Sequence, residues 1–92
     1  MRILAIDDNA DNLVSIEALL KVCIPGCETG TARSGAEGIE MARERQPDTI
    51  LLDVRMPGMD GFETCRILKN DPATQHIPVI FLTAQQGDAA AR

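Results

Sequence analysis

The sequence predicts an α/β domain built on a parallel sheet with helices on both faces. Three observations carry this. Apolar runs too short for helices recur, at Ile3–Ile6, Ile50–Leu52 and Val79–Leu82. Two of these runs end abruptly in aspartate, at Asp7-Asp8 and at Asp53. Between the runs lie stretches with helical spacing, and this alternation implies right-handed β-α-β crossovers. A strand that is apolar at every position must be covered on both sides, as in parallel sheets.

Taken in order, Ile3–Ile6 is the first strand. Asn9 and Asp11 can open a helix whose apolar face is Leu13, Ile16, Leu20 and Cys23, and Pro25-Gly26 ends it. Glu28–Ala32 carries Thr29, Gly30 and Thr31 and little apolar content, so it is expected at a sheet edge. Ser34-Gly35-Ala36-Glu37 matches a capping box, followed by Ala36, Ile39 and Ala42 or Arg43 at helical period, and Pro47-Asp48 stops this helix. Thr49–Asp53 is the third strand. Asp60-Gly61-Phe62-Glu63 is a second start resembling a capping box, with Phe62, Cys65 and Leu68 on one face and Asn70-Asp71-Pro72 at the end. Val79–Thr83 is the most β-prone run, and Gln85 opens another helical stretch.

Composition bounds the function. The 92 residues are 45% hydrophobic and 25% charged, ordinary for one globular domain. The formal net charge of -5 disfavours direct binding to nucleic acid or an anionic membrane surface. No apolar run approaches the ~20 residues of a membrane span. The amino terminus lacks the shape of a signal peptide, so a cytoplasmic location is expected. Three cysteines form an odd set that argues against a disulfide framework. With one histidine, His76, and no second cysteine pair, Cys23 and Cys27 lack the partners of a zinc site.

The chemistry concentrates in carboxylates at strand ends. If the first and third strands are neighbours, Asp7, Asp8 and Asp53 converge. Like charges so close need compensation, and a hard divalent cation supplies it. Mg²⁺ takes oxygen ligands and typically binds one or two carboxylates plus phosphate oxygens. The cluster therefore reads as a Mg²⁺-assisted phosphoryl-transfer site, with Asp53 as the central carboxylate and a possible nucleophile. Acidic residues at strand ends also cap helices, and Asp7 or Asp8 alone would be read that way. Thr83 ends the last of the apolar runs, so its hydroxyl is either a helix cap or a donor to a phosphoryl oxygen.

These residues together resemble a known family. Asp7-Asp8, then Leu51-Leu52-Asp53-Val54-Arg55-Met56-Pro57-Gly58-Met59-Asp60-Gly61, then Ile77-Pro78-Val79-Ile80-Phe81-Leu82-Thr83-Ala84, are similar to the receiver domain of two-component response regulators, in order and over the whole chain. The resemblance implies a flavodoxin-like, doubly wound sheet in the order 2-1-3-4. It implies that Asp53 takes a phosphoryl group from a phosphohistidine on a histidine kinase or phosphotransfer protein. Asp8, Asp53 and the backbone carbonyl of Arg55 would hold Mg²⁺, with Asp7 acting through a coordinated water. Thr83 would be the switch hydroxyl, and Ala84 the small residue that admits the phosphoryl group. The side chains of Arg55 and Gln85 match positions that tune the lifetime of the phosphorylated state. The resemblance thus implies a phosphoacceptor signalling module rather than a classical enzyme.

Residues 1–92 are read as one receiver domain that stops before the family's fifth strand, its lysine, its aromatic switch residue and its last helix. Lys21 and Lys69 do not match the lysine position. An interaction scaffold that works without phosphorylation is therefore the alternative function. The fourth strand, apolar and uncharged, becomes an open edge, and a homodimer through it is expected.

Overall fold

Ile3, Leu4, Ala5 and Ile6 are all buried, the burial expected of a central strand covered on both faces. A computed structural model describes residues 1–82 of the chain. Seven elements follow in strict alternation: β1 (Arg2–Ile6), α1 (Ala10–Cys23), β2 (Glu28–Ala32), α2 (Gly35–Arg45), β3 (Thr49–Asp53), α3 (Gly61–Lys69) and β4 (Val79–Leu82). The four strands form one parallel sheet in the order β2-β1-β3-β4. The weakly apolar β2 is the edge strand that its threonines and glycine predict, and β4 lies at the other side among the described residues. Thr83, Ala84 and the helical stretch expected from Gln85 lie outside the described residues.

Strand order decides which face each helix covers. The step from β1 to β2 runs one way across the sheet, and the steps to β3 and β4 run the other. Right-handed crossovers then place α1 on one face and α2 and α3 on the opposite one. The core follows this division. Leu4, Ile6, Ala32, Ile50 and Leu52 point to the α2–α3 face, where Ile39, Ala42, Met56, Leu68 and Ile77 close over them. Ile3 and Ala5 alternate to the α1 face with Leu13. That face is thinner: Leu51 is half-buried and Ile80 is 54% exposed.

Helix ends are set by local chemistry. Asn9 caps α1 by accepting from the amides of Asp11 at 2.8 Å and Asn12 at 3.2 Å. Ser34 Oγ accepts from the Glu37 amide at 3.2 Å, while the Glu37 carboxylate accepts from the Arg33 amide, one residue before the cap. Asp60 caps α3 through the Glu63 amide at 2.9 Å. The reciprocal half of that box does not form, because Glu63 instead pairs with Arg66 at 2.6 Å. Lys69 donates to the carbonyls of Gln75 at 3.2 Å and Ile77 at 2.6 Å, which ties the end of α3 to the loop before β4. Beside it, the Arg43 guanidinium bonded to Asp71, aided by the Ala73 amide, holds that carboxyl below the usual carboxylate range.

Three helix faces differ from the spacing argument. Ala36 is exposed, and Gly35 and Gly38 are buried in its place, because α2 packs closely enough to the sheet and α3 that only glycine fits. A Cβ at Gly38 would meet the side chain of Ile6, and one at Gly35 would meet Thr64 Oγ1. Phe62 is exposed and rests against Phe81 at 5.2 Å, while fully buried Thr64 takes the inward position. Its hydroxyl survives burial by donating to the Asp60 carbonyl at 2.8 Å. Cys23, the last residue of α1, is exposed, whereas Cys27 and Cys65 are half-buried, and all three thiols are free. His76 is an exposed loop residue. No described helix is long and apolar enough to cross a membrane.

Candidate functional site

The sheet register builds the site. Ile6 is aligned with Leu52 across β1 and β3, so the residues that follow, Asp7 and Asp53, emerge side by side at the carboxyl rim. Asp8 comes next on the β1–α1 loop. One carboxylate oxygen from each of Asp7, Asp8 and Asp53 lies within 4.8 Å of the others. Ligands of open α/β sheets bind at this rim, where neighbouring crossovers leave in opposite directions. Here the chain turns to α1 from β1 and to α3 from β3, on opposite faces.

The three carboxylates are held differently. Asp7 is 2% exposed, and both its oxygens are engaged: Oδ1 accepts from the Asn9 amide at 3.0 Å and Oδ2 from Asn12 Nδ2 at 3.2 Å. Asp53 is half-buried, and its Oδ1 accepts from the Arg55 amide at 3.3 Å. Asp8 is half-buried, and the structure ties down its backbone: Arg33 Nε donates to its carbonyl at 3.1 Å. Asp7 is therefore locked, while Asp8 and Asp53 present oxygens to the rim.

This arrangement stores electrostatic cost at Asp53. Burial raises the affinity of its carboxyl for a proton, and the charge of Asp7 raises it further. The Arg55 amide opposes both, while a side-chain bond to Asp7 and the charge of Asp8 add to the rise. A carboxyl with a raised folded-state pKa destabilises the fold once it ionises, and the cost disappears when acid protonates it. Asp53→Asn is therefore expected to raise the melting temperature at pH 7, by about 4–8 °C for each ~1 kcal/mol of repulsion relieved in a domain of this size. The gain should shrink as pH falls through the carboxylate range, and melts of both proteins across pH in the presence of a chelator measure it.

The donor set fits a hard divalent cation. All three side chains offer oxygen and none offers nitrogen or sulfur, which suits Mg²⁺ and disfavours zinc. The Arg55 carbonyl lies on the loop that leaves β3, two residues after Asp53. That loop is closed by the Gly61 amide donating to the Val54 carbonyl at 3.0 Å, with Gly58 at a φ of 74° in its turn. Three contributors were not given these roles from sequence. Asn12 braces Asp7, Arg33 braces Asp8, and Gly61 lets α3 begin against the backbone of Asp53. Asn12 sits on the first turn of α1, a placement that the cap at Asn9 would have revealed. Arg33 carried no local signal, because its partner is 25 residues away.

Fold and rim together define an α/β domain with an acidic cluster at the carboxyl end of its parallel sheet. Residues 3–92 match the family model of the response regulator receiver domain. The chain belongs to the response regulator receiver domain family, the receivers of two-component signalling. It is 50% identical over 86 residues to the response regulator PleD of Caulobacter vibrioides, covering 94% of this chain and 18% of that protein. The chain thus spans less than a fifth of this relative. Among solved structures, the N-terminal domain of a response regulator receiver protein from Methanoculleus marisnigri JR1 superposes with a TM-score of 0.82 at 35% identity, over 98% of this chain and 76% of that one. The receiver domain of a sensor histidine kinase from Pseudomonas aeruginosa PAO1, with a magnesium ion coordinated in its active-site cleft, gives 0.82 at 32% identity, over 97% and 73%.

Proposed function

We propose that this chain is a phosphoacceptor, with Asp53 taking a phosphoryl group from a phosphohistidine on a histidine kinase or phosphotransfer protein. The observation that carries the reading is the meeting of Asp7, Asp8 and Asp53 within 4.8 Å at the sheet rim of a receiver-family chain. In the transfer, a carboxylate oxygen of Asp53 attacks phosphorus. A P–O bond forms, the P–N bond breaks, and the imidazole leaves with the electron pair and takes up a proton.

Asp8, Asp53 and the Arg55 carbonyl are the groups that would hold Mg²⁺. Asp7, its oxygens already engaged by Asn9 and Asn12, suits an outer role through water. A bound Mg²⁺ supplies positive charge against the phosphoryl oxygens. The protein supplies the rest: β1 and β3 fix the carboxylates in register, and the Arg55 amide orients Asp53 for attack. The raised proton affinity of Asp53 marks a carboxylate poorly compensated by protein groups alone, which favours a cation at neutral pH. Thr83 and Ala84 follow Leu82, the register partner of Asp53. We assign Thr83 the role of switch hydroxyl and Ala84 that of the small residue beside the phosphoryl group.

The test is the intact mass of the protein after incubation with Mg²⁺ and a small-molecule phosphodonor. The expected result is a gain of one phosphoryl group that hydroxylamine removes, as it does from acyl phosphates. Asp53→Asn should gain none, and a chelator should suppress the gain in the wild type. Uptake by Asp53→Asn equal to that of the wild type contradicts the reading.

A further inference from the structure

We propose that Arg33 is a positioning residue for the cation-binding loop, acting through its hydrogen bond to the backbone of Asp8. This rests on the reading of the carboxylate cluster as a divalent-cation site. Two bonds join the end of β2 to the start of the β1–α1 loop. The Asp7 amide donates to the Ala32 carbonyl at 3.0 Å, which extends the β1–β2 ladder by one residue. Arg33 Nε then donates to the Asp8 carbonyl at 3.1 Å, one residue beyond the ladder. Residues 7 and 8 are thus clamped to residues 32 and 33.

Arg33 is itself held. Its amide donates to Glu37 Oε1 at 2.9 Å, so the capping chemistry of α2 fixes the backbone from which the guanidinium reaches. The chain of contacts runs from the first turn of α2, through Arg33, to the peptide carrying Asp8. Asp7 has side-chain partners in Asn9 and Asn12 that orient its carboxylate. Asp8 is oriented through its main chain, and Arg33 is the side chain that reaches it.

The sign of the effect separates positioning from bulk electrostatics. A guanidinium near the rim repels a cation, so its loss by charge alone would tighten Mg²⁺ binding. Its loss as a clamp would loosen the Asp8 peptide and weaken binding. Glutamine isolates the clamp, because its Nε2 stands the same number of bonds from Cα as arginine Nε but carries no charge.

The experiment is calorimetric titration of the full chain with Mg²⁺, for wild type, Arg33→Ala, Arg33→Gln and Asp8→Asn, with amide hydrogen exchange of the metal-free proteins. Arg33→Ala should weaken Mg²⁺ binding about fivefold, less than the ~10–100-fold seen when a direct partner of a ligand is lost, because the bond reaches a carbonyl. Arg33→Gln should bind at least as tightly as the wild type. The Asn9 amide should exchange faster in Arg33→Ala, while the melting temperature without metal stays unchanged. Binding by Arg33→Ala as tight as the wild type, with Asp8→Asn impaired, overturns the role of Arg33 alone. Undiminished binding by Asp8→Asn overturns the site reading beneath it. Unchanged exchange at Asn9 in Arg33→Ala overturns the clamp in either case.

Discussion

Gly61→Ala is expected to cost about 3 kcal/mol of stability, at the upper end of the usual range for overpacking. A Cβ at this position would collide with the Asp53 carbonyl oxygen and stand 2.8 Å from Val54 Cα and 3.0 Å from the Asp53 carbonyl carbon. All three obstacles are backbone atoms of β3 and its exit, so no side chain can swing aside. The first turn of α3 would have to move away from β3. That movement breaks the bond from the Gly61 amide to the Val54 carbonyl and shifts the Asp60 cap. Gly35 offers a contrast, because one of its obstacles is the flexible end of Met59. A loss of this size lowers the melting temperature of a domain this small by on the order of 15 °C. Since the obstacles include Asp53 itself, Mg²⁺ affinity should fall as well. A thermal melt within about 2 °C of the wild type would contradict this account of the β3–α3 contact.

Asp8→Asn is expected to reverse the order of stabilities with and without Mg²⁺. Without metal, three carboxylates crowd the rim, and removing one charge relieves repulsion on Asp53. The variant should then melt at or slightly above the wild type. With Mg²⁺ at about a hundredfold its dissociation constant, a single site adds ~2.7 kcal/mol to the wild type. That is roughly 10 °C or more for this size of domain. The variant lacks one of the two carboxylates proposed to hold the cation and should gain little. Equal stabilisation of both proteins by Mg²⁺ would mean that the cation binds elsewhere. Melts of both proteins in Mg²⁺ and in chelator give all four values.

Much of this site was legible in the sequence, because it is written in strand ends. An apolar run that stops at an aspartate places that aspartate on the rim whatever the details of packing, and Asp7, Asp8 and Asp53 are such residues. The bounds of β2 and β3 were equally plain, one from its threonines and glycine, the other from its unbroken apolar centre. Helix faces were less legible. Period alone put Ala36 and Phe62 inward, yet the inward positions are taken by Gly35, Gly38 and Thr64. Glycine and threonine are weak signals of burial, and their value here comes from how closely α2 approaches Ile6 and α3. Long-range tethers were not legible at all. Nothing around Arg33 points to Asp8, and only the parallel pairing of β1 with β2 brings them together.

The proposed function requires that Asp53, and neither of its two neighbouring carboxylates, receives the phosphoryl group. Borohydride reduces an acyl phosphate to an alcohol, which converts the phosphorylated aspartate to homoserine and marks it permanently. Peptide fragmentation of the reduced, phosphodonor-treated chain then locates the mark. The account predicts homoserine at position 53 and unmodified aspartate at positions 7 and 8. Homoserine at 7 or 8, or at none of the three in a folded protein that has gained a phosphoryl group, would contradict it.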